Sequence, residues 1–308
     1  MRTVGRAYAR AGLLGNPSDI YGGRVIAFAF ENFFAEVTIE SSDARDVDPR
    51  GGLLAALWAR FAEHHLPMGT SPGFRMRFES SIPRQVGLAG SSAILIAGLR
   101  ALMERFAVRI EPIVQAEFAL AIETEVLGIV AGPMDRVIQV YEGLRHIDCQ
   151  RPLRAEGVRS IPVERLPPAF VAYDPTPGED SGVVHSPVRE RWLRGDPDVR
   201  RAIAVFPTIA DRGVDCLTAG DARGLMRLLD QNFDTRASIF DISARNLEMV
   251  RVGREHGAAT GFAGSGGAVV GLVDDAARLS DVEAAYRRAG FEFVRPTLCP
   301  ERPAREDA

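Results

Sequence analysis

The chain has 308 residues, 41 acidic and 37 basic, and its formal net charge of −4 gives no electrostatic footprint for nucleic acid or an anionic membrane. Every basic residue is Arg; the sequence contains no Lys. That excludes a Walker-type phosphate loop, the third-strand lysine of protein kinases, and Schiff-base or pyridoxal-phosphate chemistry, each of which needs the Lys amine.

The start, MRTVGRAYAR, has no apolar signal core, so a cytoplasmic location is expected. VIAFAF (25–30) and FFAEVTIE (33–40) are β-rich runs, so the first forty residues read as strands broken by a glycine-rich loop. Leu53–His64 carries apolar residues at helical spacing, and Phe74–Ser80 alternates as a strand does. A glycine loop then runs directly into an apolar helix. A further helix is expected over Pro112–Leu127, and RVIQVYEG (Arg136–Gly143) reads as a strand. Charges and prolines between Arg151 and Pro168 mark the best boundary, dividing the chain into 1–160 and 161–308. FVAYD follows as a strand. A helical half opens at His185–Gly195 and continues over Asp198–Thr218, Asp221–Phe233 and Ala244–His256. The end alternates: strand in AATGF, glycine loop, strand in AVVGLV, helix over Ser280–Ala289, strand in FEFV, and a frayed tail. Strands and helices come in clusters, so two α+β domains fit better than one βαβ sheet. No run of about 18 apolar residues is free of a glycine cluster, against a spanning helix. Cys149, Cys216 and Cys299 are too few and too far apart for a disulfide framework or a zinc site.

Four segments could carry chemistry. In Gly87-Leu88-Ala89-Gly90-Ser91-Ser92-Ala93, small residues let the backbone approach an anion, and the helix that follows presents unpaired N–H groups. A tight turn with a Ser cap is the plain alternative. Gly261–Gly267 resembles a dinucleotide fingerprint, but AVVGLV after it is a strand, which is the wrong context. It reads instead as a hairpin loop that packs against a phosphate or the first glycine loop. In Glu123-Thr124-Glu125 … Gly132-Pro133-Met134-Asp135, one carboxylate could activate a hydroxyl and another hold Mg²⁺. A solvated helix face and a turn Asp are the plain alternatives. Arg10–Asp19 is a turn-rich loop between strands, placed as a binding loop on a rigid sheet would be.

Together these segments resemble the GHMP kinase superfamily of small-molecule kinases, over nearly the whole chain. Gly87–Ala93, preceded by Pro83, is similar to its phosphate motif, Gly261–Gly267 to its third motif and Arg10–Asp19 to its first. Within the superfamily the closest resemblance is to the glucuronokinases, through Ala7–Arg24, Gly132–Leu144, Glu179–Trp192 and Phe262–Val270. The resemblance implies a two-domain α+β fold: an N-terminal α/β domain of the ribosomal-protein type, then a ferredoxin-like domain. It implies ATP and Mg²⁺ as cofactors and phosphorylation of the anomeric hydroxyl of D-glucuronate. Asp135 matches the catalytic Asp and Arg10 its Arg partner; Glu125 and Ser92 (or Ser91) match the metal ligands. Gly87, Leu88, Ala89, Gly90, Ser91, Ser92 and Ala93 would cradle the triphosphate. Asn16, Ser18, Asp19, Arg24, His185, Gly264, Ser265 and Gly266 would face the sugar acid. Without Lys, the substrate carboxylate falls to Arg, amides or hydroxyls. Arg24, Arg136, Arg189 and Arg191 lie in the distinctive segments, and the sequence does not choose among them. Ser186 with Pro187 reads equally as a helix cap. Other readings are a galactose or galacturonate kinase, a sugar sensor that keeps the fold without the chemistry, and, resting only on GFAGSGG, a dinucleotide-dependent oxidoreductase.

Overall fold

Arg2–Leu14 (β1) and Arg24–Ser41 (β2) form a long antiparallel ribbon that founds the first sheet. A computed structural model describes residues 1–69, 72–176 and 181–302. The two runs expected at 25–30 and 33–40 are one continuous strand, bent where the register shifts opposite Tyr8 and Ala9. Asp46–Val47 (β3), Phe74–Ser80 (β4), Leu144–Asp148 (β5) and Val158–Ile161 (β6) complete a six-stranded sheet, ordered β3-β4-β2-β5-β6 with β1 paired to β2. Leu53–His65 (α1) and Gly90–Phe106 (α2) cover it. The α2 residues from Ser92 to Leu99 are all buried, so this helix is held by packing on every side rather than on one stripe.

Pro112–Ala121 (α3) passes into a single wide π-turn, Ile122–Val126, where a continuous helix was expected. RVIQVYEG corrects the sequence reading more sharply. Met134–Tyr141 is a helix (α4), with Met134, Val137, Ile138, Val140 and Tyr141 all buried. At eight residues, with Val137, Ile138, Val140 and Tyr141 all β-branched or aromatic, the segment is of strand length and strand composition, so a short window favours the strand. Asp135 therefore lies in the first turn of a helix rather than ahead of a strand.

The second sheet comes from the other half of the chain: Ala169–Tyr173 (β7), Ala259–Phe262 (β8), Ala268–Leu272 (β9) and Glu292–Val294 (β10), ordered β10-β7-β9-β8. Ser181–Leu193 (α5), Pro197–Ala219 (α6), Ala222–Ala237 (α7), Ala244–Glu255 (α8) and Arg278–Arg288 (α9) accompany it. Asp196, Asp221 and Ser243 cap α6, α7 and α8 by accepting backbone N–H bonds, which stops the chain where the amphipathic patterns begin. Pro187 is inside α5, so Ser186 is not an N-cap. After β10 the chain returns to the first sheet: Cys299 N donates to Ala29 O, and Phe30 bridges Leu298. One hydrophobic cluster runs from β1 and α2 through α7 to β9, so the halves share a core. Among the described residues no helix is long and apolar enough to cross a membrane. The expected frayed tail lies outside the described residues from 303 onward.

Candidate active site

A cleft of about 670 Å³ opens where the two glycine loops meet the start of α4. The loops touch backbone to backbone. A Cβ on Gly264 would lie 2.2 Å from the Gly87 carbonyl oxygen, and one on Gly87 would lie 2.6 Å from that of Gly266. Only glycine permits this approach, and Gly87 also has φ +73°. Gly261–Gly267 thus packs as a hairpin loop against the first glycine loop, as one sequence reading had it.

The first loop ends at the N-terminus of α2, with Ala89 in the left-handed region at φ 64°. A non-glycine residue held there stores strain, which occurs at binding sites where the surroundings over-determine the backbone. Gln139 of α4 supplies part of that restraint, donating to Ala89 O at 2.9 Å and Tyr8 O at 3.1 Å. The helical phase of α4 puts Asp135 and Gln139 one turn apart on the same face.

Arg10 joins the pieces. Its Nε donates to Asp135 Oδ1 at 2.7 Å, and its Nη1 donates to Gly87 O at 2.6 Å and Ala263 O at 3.0 Å. Burial alone would raise the Asp135 pKa; the guanidiniums of Arg10 and Arg136 more than offset it and hold the carboxyl below its ordinary value. Asp19 faces the same cleft. Burial first, then the Asp135 charge, pushes its pKa up to about 6. Two buried carboxylates in one site thus differ in their proton affinity, a pattern typical of functional sites. His185 is 7% exposed and reaches the cleft from α5. Burial, with Arg236 nearby, pushes its pKa down to about 3, so its imidazole is neutral.

Residues 53–143 match the family described as GHMP kinases N terminal domain. The chain is 37% identical to a probable glucuronokinase 2 of Arabidopsis thaliana, over 98% of this chain and 93% of that protein. The chain belongs to the GHMP kinase family. It is 36% identical to glucuronokinase 1 of the same plant, over 96% of this chain and 92% of that protein. The fold is that of a Lactococcus lactis galactokinase solved with galactose, at TM-score 0.81 and 14% identity, covering 96% of this chain and 93% of that one. A GHMP kinase is a small-molecule kinase, so neither the oxidoreductase reading nor the non-catalytic sensor is retained.

The cleft of this GHMP kinase gathers most of the expected residues. Arg10, Asn16, Asp19, Gly87, Leu88, Ala89, Gly90, Ser91, Asp135, His185, Gly264 and Ser265 all line it. Five others stand elsewhere. Ser18 Oγ donates to Arg24 O, closing its own loop. Arg24 forms a two-pronged ion pair with Asp211 at 2.6 and 2.7 Å, outside the cleft wall. Ser92 and Ala93 are fully buried under the loop, with Ser92 Oγ donating to Ala89 O. Gly266 lines a neighbouring recess. Of the proposed carboxylate binders, Arg191 pairs with Asp196, Arg189 is exposed, and only Arg136 borders the cleft.

The two glutamates of the third segment lie in different surroundings. Glu125 pairs with Arg60 at 3.0 Å, with 61% of its side chain exposed, and neither it nor Glu123 is part of the cleft wall. Glu123, two positions earlier, is fully buried; it accepts from Ser91 Oγ at 2.9 Å and is gripped by Arg136. Residues two apart on a helical turn point to opposite sides, so Glu123 faces inward and Glu125 outward. Among the described residues no group of three or more His, Cys, Asp and Glu could hold a metal alone. Ser91 lines the cleft and touches Glu123 directly behind it, so the pair offers the one or two protein oxygens that Mg²⁺ carried on phosphates takes, its shell being completed by phosphate and water.

Proposed function

We propose that this GHMP kinase transfers the γ-phosphoryl group of ATP to the anomeric hydroxyl of a sugar acid, D-glucuronate, with Mg²⁺. The observation that carries the reading is the Arg10–Asp135 pair at the junction of both glycine loops. The relatives named glucuronokinase supply the choice of sugar. Residues 1–160 would bring the phosphate loop and 161–308 the third motif, as two domains meeting at the cleft.

Phosphoryl transfer needs positioning and charge stabilisation more than covalent help. The amides of Gly87–Ser91 and the α2 N-terminus would receive the triphosphate, and the apolar end of the cleft, at Leu53, Phe78 and Ile82, would take the purine. Mg²⁺ supplies charge neutralisation on the β- and γ-phosphates when bound, and Ser91 and Glu123 are the residues that would hold it. Asp135, kept ionised by Arg10 and Arg136, accepts a hydrogen bond from the anomeric hydroxyl and then its proton. The hydroxyl oxygen forms the new bond to the γ-phosphorus as the bond to ADP breaks. Asp19, which lies against the Gly132–Met134 backbone, and Asn16 would face the sugar from the same end of the cleft as Asp135. An anomeric hydroxyl is more acidic than an ordinary alcohol, so a carboxylate of depressed pKa suffices.

The test is ADP release with ATP and Mg²⁺ over glucuronate, galacturonate, galactose, glucose and mevalonate, with the phosphorylated position read by phosphorus NMR. Turnover of glucuronate with an anomeric phosphate supports the reading. Turnover of a different sugar alone replaces the substrate, and no turnover of any overturns it.

A further inference from the structure

Arg236 is an arginine that sequence reasoning passed over. It sits near the end of α7, 1% exposed, on the same face as Leu225, Leu228, Leu229, Asn232 and Phe233. The other buried arginines, Arg10, Arg136 and Arg145, each have a carboxylate within 4 Å. Arg236 has none among the described residues. Nη1 and Nη2 donate to the Gly264 and Ser265 carbonyls at 2.8 and 3.1 Å, and Nε has no partner. Its guanidinium lies over the rings of Phe240 and Phe262 at 4.8 and 5.0 Å. These neutral contacts orient the group without cancelling its charge. An uncompensated buried charge is strongly unfavourable, so an anionic ligand would relieve it.

The place suits a substrate group. Gly264 stands between Arg236, which donates to its carbonyl, and Arg10, whose guanidinium lies about 3.0 Å from where a Gly264 Cβ would be. Arg10 in turn holds Asp135. Arg236 is thus linked to the carboxylate assigned to the anomeric hydroxyl through Gly264 and Arg10, and His185 feels both charges. It lines a recess that shares Gln85 and Ser265 with the main cleft. His185 flanks it. The His185 ring meets Phe240 edge-on at 5.7 Å, and its Nδ1 is buried without a partner. Two nitrogen groups, each more than nine-tenths buried, therefore adjoin the same phenylalanine with hydrogen-bonding capacity unspent.

We propose that Arg236, with His185 beside it, is the seat of the substrate carboxylate and selects a sugar acid over the neutral sugar. The proposal rests on the sugar-kinase reading and names the specificity element of that site. A pyranuronate carries its anomeric hydroxyl on C1 and its carboxylate on C5, the two carbons that flank the ring oxygen, so one edge of the ring can present the hydroxyl to Asp135 and the carboxylate to Arg236. The carboxylate becomes the missing counter-ion and accepts from Arg236 and from the ring N–H of the neutral His185. A hexose ends in a hydroxymethyl group there and leaves the buried cation unpaired.

The test separates binding from turnover. Titration calorimetry on wild type, Arg236→Gln, Arg236→Lys and His185→Gln uses D-glucuronate and its neutral amide, D-glucuronamide; ADP release is measured with the same pair. Wild type is expected to prefer the acid. The acid-over-amide ratio should fall roughly 30- to 100-fold in Arg236→Gln, mainly in Kd and KM rather than kcat, with Arg236→Lys intermediate. A merely structural arginine would weaken both sugars alike and leave the ratio unchanged, which overturns the seat. So does a wild type without preference for the acid. Should Arg236→Gln fail to fold, Arg236→Lys and His185→Gln decide by the same ratio. Binding of the acid without ADP release would support the seat and overturn the kinase reading. ADP release without acid preference would do the reverse.

Discussion

Arg10 and Asp135 lie 125 residues apart in sequence and 2.7 Å apart in space, Nε to Oδ1. The same guanidinium binds a carbonyl from each glycine loop. One side chain thus sets the charge state of the proposed base and the spacing of the loops around the phosphate cradle.

Asp135→Asn is expected to lower kcat by at least ~100-fold with ATP affinity kept, the usual scale for a lost acid–base group. Arg10→Gln tests the charge argument separately. Arg10 holds the Asp135 pKa down, so its removal raises that pKa. Since the ionised form is the active one, the acid limb of kcat/KM should move to higher pH. A limb that stays in place in Arg10→Gln contradicts the assignment.

Glu123→Gln and Glu125→Gln distinguish the two candidate metal carboxylates. Glu123 contacts Ser91 at the phosphate loop, and Glu125 pairs with Arg60 at the surface. Titrating Mg²⁺ against rate should show a requirement raised about tenfold or more in Glu123→Gln, the scale of one charged hydrogen bond. Glu125→Gln should titrate as wild type does.

The glycine loops, their order and the Arg10–Asp135 match were legible together, through the family resemblance, where each segment alone also read as a turn or loop. The sequence reading misplaced α4, because the helix is only eight residues long and rich in β-branched and aromatic side chains, which outweighed the helical spacing of Asp135 and Gln139. Glu125 was matched to the metal by the family resemblance alone; that Glu123 rather than Glu125 touches Ser91 shows only in the fold. Arg24 looked like a substrate contact by position, and only the fold brings Asp211 to it across 187 residues. Arg236 did leave a signal: with Asn232 it is a polar residue in the apolar stripe of α7.

Asp19 carries a raised pKa, so it gives stability that is present in full below its unfolded value of 3.8 and lost as pH rises through about 6. At pH 8 wild type bears that buried charge and Asp19→Asn does not. Asp19→Asn should therefore raise Tm relative to wild type at pH 8, with the gain vanishing at pH 4 or below. Thermal melts across that range check it, and a gain independent of pH would show that burial of charge is not the cause.

Gly264→Ala puts a Cβ 2.2 Å from the Gly87 carbonyl oxygen, and neither backbone can yield without moving a loop. A loss of about 1–3 kcal/mol is expected, the usual range for overpacking. Gly90→Ala meets nothing nearer than Ile82 at 3.6 Å, so its Tm should hold. If the triphosphate lies on this loop, the same methyl group raises KM for ATP, measured by initial rates at saturating sugar.

The most direct measurement is ADP release by wild type with ATP, Mg²⁺ and D-glucuronate, followed by phosphorus NMR of the product. The account predicts turnover and a single phosphate on the anomeric oxygen. Phosphate on any other oxygen, or no ADP release from glucuronate while ATP binds, would contradict it.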